Sequence, residues 1–180
     1  QSIKSHLISD MPVLDGIVVL TTKAYGNIEI SNLLKEKIGA SPLVILQNGL
    51  GVEDPFINSI YSSVYRCVLF ATCQMVNINT VKYKPISISQ VGIVNGNQNE
   101  LTSIVSYLNT SDFNFESNSE IEKIIWTKTI ANCVFNSVCP LLEVDNGIFW
   151  RDSSALELAK KIILECVCVA DAYAVSFIYE

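Results

Sequence analysis

The chain has 180 residues, 49% of them apolar, and a formal net charge of −6. That apolar content is enough to bury a real core, as one large domain or as parts of two, and it excludes a disordered chain. Its 12 Lys and Arg residues are scattered from Lys4 to Lys161 and form no basic patch, so nucleic acid is excluded as a partner.

The first ten residues, QSIKSHLISD, have neither the basic start nor the apolar run of a signal peptide, which points to the cytoplasm. Residues 15–23 (DGIVVLTTK) are a β-branched apolar run ending in polar residues, the pattern of a strand buried on both faces of a parallel sheet. Residues 27–38 follow with helical spacing at Ile30, Leu33, Leu34 and Ile38, and Gly39 is placed to end that helix. Residues 43–47 (LVILQ) then predict a second buried strand. This β-α-β order argues for a doubly wound sheet whose ligand site lies beyond the carboxyl ends of its strands, where Lys23 and Asn48 stand.

The QNGLG segment at 47–51 is a strand-to-helix connection in which glycines let backbone approach a ligand, although an ordinary tight turn explains it nearly as well. Gly49-x-Gly51 is not a dinucleotide fingerprint, because Asp54 stands where the third glycine belongs. From 66 to 96 the pattern changes to strands without intervening helices, 66–76 and 80–96, expected as mixed or antiparallel strands at one edge. A short helix at 100–108, a short strand at 112–116 and a polar junction at 117–119 come next.

Beyond that junction the pattern is helical. Ser119 followed by Glu122 predicts a capping box opening a helix through Asn136 or a little further. Its apolar body is crossed by Lys128, Asn132 and Asn136, four apart, each step advancing about 40° around the axis, so the three form one slowly winding stripe about 12 Å long. A cation and two amides suit a small ligand bearing carboxylate and hydroxyl groups. The same stripe could be the solvated face of an ordinary amphipathic helix, although asparagine is a poor helix former for that purpose.

A shorter helix around 146–151 and a long one from about Ser154 onward complete the pattern. The apolar stretch 162–179 is interrupted by Glu165 and Asp171, so it reads as a core-facing helix and not a membrane span. Six cysteines, at 67, 73, 133, 139, 166 and 168, contain no CxxC pair, and His6 is the only histidine. They are expected as buried reduced thiols, with no metal bound.

The pieces TTKAY (21–25), LQNGLG (46–51), WTKTIANCVFNSVCPLL (126–142) and DNG (145–147), in this order and at these separations, resemble the ketopantoate reductase family over nearly the whole chain. Most specific is Trp126-x-Lys128-x3-Asn132-x3-Asn136. The resemblance implies an α/β fold: a partial Rossmann-like doubly wound sheet at 1–117, a dinucleotide-binding domain, followed by the start of an all-α substrate domain at 118–180. It implies an enzyme that uses NADP to reduce 2-dehydropantoate to pantoate. In this reading Lys128 is the general acid, Asn132, Asn136 and Asn146 contact the substrate, and Lys23 and Asn48 lie on the cofactor side.

The family's glycine-rich strand-turn-helix has no match here, and its later helices, with a serine and a glutamate of the site, should follow Glu180. The expectation is therefore an internal fragment that binds NADPH weakly or not at all by itself. The mean hydropathy of +0.35 is high, which absent neighbours or an oligomer interface such as a homodimer would explain. Two other readings stand beside this one: a reductase of another 2-oxo acid on the same fold, and a non-catalytic binding module that has lost the cofactor half.

Overall fold

The computed structural model describes residues 4–57 and 60–177. The first three residues of the start read for a leader, and residues 178 and 179 of the apolar stretch 162–179, lie outside the described residues. The chain divides into two compact units, Gln1–Ile121 and Glu122–Glu180.

The first unit is built on a five-stranded sheet of order β1-β2-β3-β6-β7. Strands β1 (Val18–Leu20), β2 (Leu43–Ile45) and β3 (Val64–Val68) are parallel, with α1 (Asn27–Leu34) between the first two. β6 (Ser89–Asn95) runs antiparallel to β3 and parallel to the edge strand β7 (Phe115–Ser117). The mixed edge agrees with the expectation.

Strand alternation sends side chains into two cores. Leu43, Ile45 and Val64 join Leu20, Leu34, Ile38, Phe56 and Tyr61 on one face. Val44, Tyr65 and Cys67 join Val91, Leu101, Ile104 and Phe115 on the other. β2 is therefore buried on both faces, which is why its sequence is apolar throughout.

Several predicted bounds shift. β1 and β2 are each three residues long, and β1, at the edge of the sheet, is not the strand buried on both faces that its apolar run predicted, since Val19 is 39% exposed. The helix expected to Ile38 ends at Leu34, with a turn in which the N–H groups of Lys37 and Ile38 both bond to the Leu34 carbonyl, each at 2.8 Å. The strands expected at 66–76 and 80–96 are each broken. Leu69–Phe70 separates β3 from β4 (Ala71–Asn77), and Pro85, which has no N–H for a ladder, ends β5 (Thr80–Pro85). β4 and β5 form a separate antiparallel hairpin. Helix α2 (Gln98–Leu108) starts two residues early because Asn97 caps it, its Oδ1 accepting from Glu100 N–H at 2.9 Å.

The second unit carries α3 (Ile121–Leu142, its first residue belonging to the first unit), the four-residue α4 (Ile148–Arg151) and α5 (Ser153–Ala172). The entry to α3 corrects the capping-box expectation. The Asn118 side chain accepts from Glu120 N–H at 2.7 Å, and among the described residues no Ser119–Glu122 hydrogen bond forms. Asp152 caps α5, accepting from Ala155 N–H at 2.8 Å. Trp126 is buried with Ala170 and Val175. Among the described residues no helix is long and apolar enough to cross a membrane. All six cysteines are free, but only Cys67 and Cys139 are buried, which corrects the expectation of buried thiols throughout.

Candidate active site

Two groups of predicted residues occupy the two units. In the first, the polar residues that follow β1 and β2 place Lys23 and Asn48 beyond the carboxyl ends of adjacent parallel strands, where open α/β sheets bind ligands. Both side chains are exposed, and among the described residues neither makes a hydrogen bond. The turn after β2 needs its glycines: Gly49 has φ +111° and Gly51 φ +65°, a region that other residues adopt only with strain.

That turn is held from two sides. Arg66, on β3, is 1% exposed. It donates to the Glu53 carboxylate, to the Gly49 carbonyl at 2.9 Å and to the Gln47 carbonyl at 3.4 Å. From the other side, the buried amides of Asn27 and Gln47 bond to each other. The sequence reading did not single out Arg66, Asn27 or Gln47 as site-shaping residues. An arginine inside the run SVYRCVLF was the available signal, since a charged residue there must be buried and therefore partnered.

In the second unit, α3 carries Lys128 and Asn132 half-buried and Asn136 exposed, along the predicted stripe. Half-burial of the first two distinguishes them from a fully solvated face. Asn146 is exposed at the tip of a turn that Asp145 organises: its carboxylate accepts from Gly147 N–H at 2.7 Å and from Arg151 at 2.8 Å. The Arg151 guanidinium, followed by that N–H, holds the Asp145 carboxyl below its ordinary value of 3.8. Asn146 also borders an apolar cleft of about 670 Å³ lined by Ile130, Val134, Phe135, Phe149 and Trp150. This cleft takes a different face of α3, so the structure groups Lys128, Asn132 and Asn136 and leaves Asn146 at a neighbouring surface. Among the described residues no three His, Cys, Asp or Glu side chains gather as metal ligands.

The family model for ketopantoate reductase PanE/ApbA matches residues 10–96, and the model for its C terminal matches residues 120–180. The chain belongs to the ketopantoate reductase family. It is 24% identical over 163 residues to a 2-dehydropantoate 2-reductase of Pyrococcus abyssi, covering 89% of this chain and 54% of that protein. Among solved structures it is similar to a dimeric ketopantoate reductase from Staphylococcus aureus (TM-score 0.76, 17% identity, 95% of this chain and 62% of that one). It is also similar to a D-mandelate dehydrogenase in complex with NADH (TM-score 0.80, 20% identity, 90% and 55%). These likenesses bear out the expected fold, a Rossmann-like sheet followed by helices. The chain spans about half the length of the curated relatives it matches.

Proposed function

We propose that this chain carries part of the site of an NADPH-dependent reductase of 2-dehydropantoate, in which Lys128 is the general acid. The observation that carries the reading is the α3 stripe: one lysine and two asparagines in line, the lysine and its nearer asparagine half-buried, on the helix that the family's C-terminal model matches. Reduction of a 2-oxo acid builds alkoxide character on the carbonyl oxygen. A positioned ammonium offsets that charge and supplies the proton, while Asn132 and Asn136 offer amides for the substrate's carboxylate and hydroxyl groups.

A nicotinamide dinucleotide fits the other group: Lys23 and Asn48 are exposed at the ends of parallel strands, beside a turn whose glycines allow close backbone approach. When bound, it supplies the hydride. Lys23 and Asn48 would hold it.

The test is Lys128→Ala in the full-length protein, with 2-dehydropantoate as substrate. General acid catalysis contributes about 10²–10⁴-fold, so kcat should fall by at least that order while NADPH affinity changes little. Lys128→Gln should be nearly as damaging, since an amide donates a hydrogen bond but brings neither the charge nor a readily transferred proton. A folded Lys128→Ala enzyme with near wild-type kcat removes the assignment. On a merely solvated face, either change would alter stability by no more than roughly 0.5 kcal/mol and leave turnover intact.

A further inference from the structure

The carboxyl ends of β1 and β2 are joined by a pair of buried amides that the proposed chemistry does not use. Asn27, at the start of α1, is 3% exposed and Gln47, just after β2, is 7% exposed. Asn27 Nδ2 donates to Gln47 Oε1 at 2.7 Å, and Gln47 Nε2 donates back to Asn27 Oδ1 at 2.8 Å. The second N–H of each amide reaches backbone: Asn27 donates to the Val52 carbonyl at 2.7 Å and Gln47 to the Thr22 carbonyl at 2.8 Å. All four amide N–H groups are therefore used, two within the pair and two on the chain. Thr22 immediately precedes Lys23, and Gln47 immediately precedes Asn48.

One backbone bond, from Leu46 N–H to the Leu20 carbonyl at 3.0 Å, still joins the two strand ends, and beyond it no backbone bond among the described residues links the outgoing segments. A buried amide is costly to leave unsatisfied, so the pair permits one arrangement of three segments: the end of β1, the end of β2 and the turn at Val52. We infer that Asn27 and Gln47 are positioning residues, which set the spacing of Lys23 and Asn48 and so pre-form the cofactor side of the site. The inference rests on the assignment of Lys23 and Asn48 to the cofactor. A pair that served only core stability would not have to link the two chain positions that adjoin these side chains.

Two measurements on the full-length protein test this, with Gln47→Met as the main variant and Asn27→Leu as a second that breaks the pair from its other side. The first needs no cofactor. Amide hydrogen exchange in either folded variant should quicken about tenfold or more at 21–24 and 47–52, while 43–45 and 64–68 keep wild-type protection. Unchanged exchange at the strand ends, or equal acceleration everywhere, overturns the inference.

The second measurement is NADPH binding by calorimetry. Gln47→Met should weaken binding about tenfold in the wild-type background but less than about twofold when Lys23→Ala and Asn48→Ala are already present, because what it positions has been removed. A full tenfold loss in both backgrounds marks a role independent of Lys23 and Asn48 and overturns the inference. If wild-type protein fails to bind NADPH, the cofactor reading falls instead, and the exchange pattern still decides whether the pair orders the strand ends.

Discussion

At the scale of single residues, the most consequential feature that the sequence reading missed is Arg66. Its side chain is 2% exposed and paired with Glu53, which is 20% exposed, and it also supports the carbonyls of Gln47 and Gly49. Burying an ion pair costs desolvation that its Coulombic attraction only partly returns, so its presence says more about the turn it organises than about net stability. Removing one member is different, because it leaves a buried charge alone. Glu53→Ala should therefore lower unfolding stability by about 3 kcal/mol, the lower end of the range for broken buried pairs, since Glu53 is partly solvated. The double variant Glu53→Leu/Arg66→Met should lose less than Glu53→Ala alone. Urea denaturation of the three proteins decides; if the double variant is the least stable, the pair is not the main function of Arg66.

At the scale of elements, local chemistry explains which parts were legible. The lysine–asparagine stripe was readable because a helix repeats faithfully, so spacing by four fixes a common line without knowledge of the surroundings. The buried strand β2 was readable as an apolar run, but the strand ends were not: past β1 the side chains of Thr21 and Thr22 are exposed, whereas past β2 burial continues at Gln47, and only the fold shows the amide of Gln47 turned onto Asn27. Long-range partners such as Arg66 and Glu53 leave no periodic trace. Close packing between elements is equally silent. Gly92, on β6, reads as an ordinary strand residue, yet a Cβ there would overlap the Ile121 side chain at the start of α3 and the Asn118 carbonyl. Because backbone on one side and a β-branched residue on the other cannot yield cheaply, Gly92→Ala should destabilise by about 1–3 kcal/mol. Gly26→Ala is the control, since its Cβ would meet only the tip of Ile30 at 3.5 Å. Equal melting temperatures for the two variants would show that the β6 contact relaxes freely.

At the scale of the whole molecule, the high mean hydropathy has a visible destination: Tyr25 and Trp150 are each 94% exposed and Leu141 is 83% exposed, so apolar content goes to the surface as well as to the cores. The proposed functional residues are also divided, with Lys23 and Asn48 in the first compact unit and Lys128, Asn132, Asn136 and Asn146 in the second. If the first group serves the cofactor and the second the 2-oxo acid, their substitutions must separate kinetically. Lys23→Ala and Asn48→Ala should raise KM for NADPH and, at saturating NADPH, leave KM for 2-dehydropantoate within about twofold of wild type. Asn132→Ala and Asn136→Ala should do the reverse. A lost hydrogen bond to a charged ligand is worth about 1.5–3 kcal/mol, so each affected constant should move roughly ten- to a hundredfold. Asn146→Ala is the discriminating case, because Asn146 borders the apolar cleft and not the stripe. If it contacts the substrate, its effect should follow that of Asn132; if it only shapes the cleft surface, both Michaelis constants should stay near wild type. Equal losses for cofactor and substrate across all five variants would mean that the division between the two units is not a division of labour.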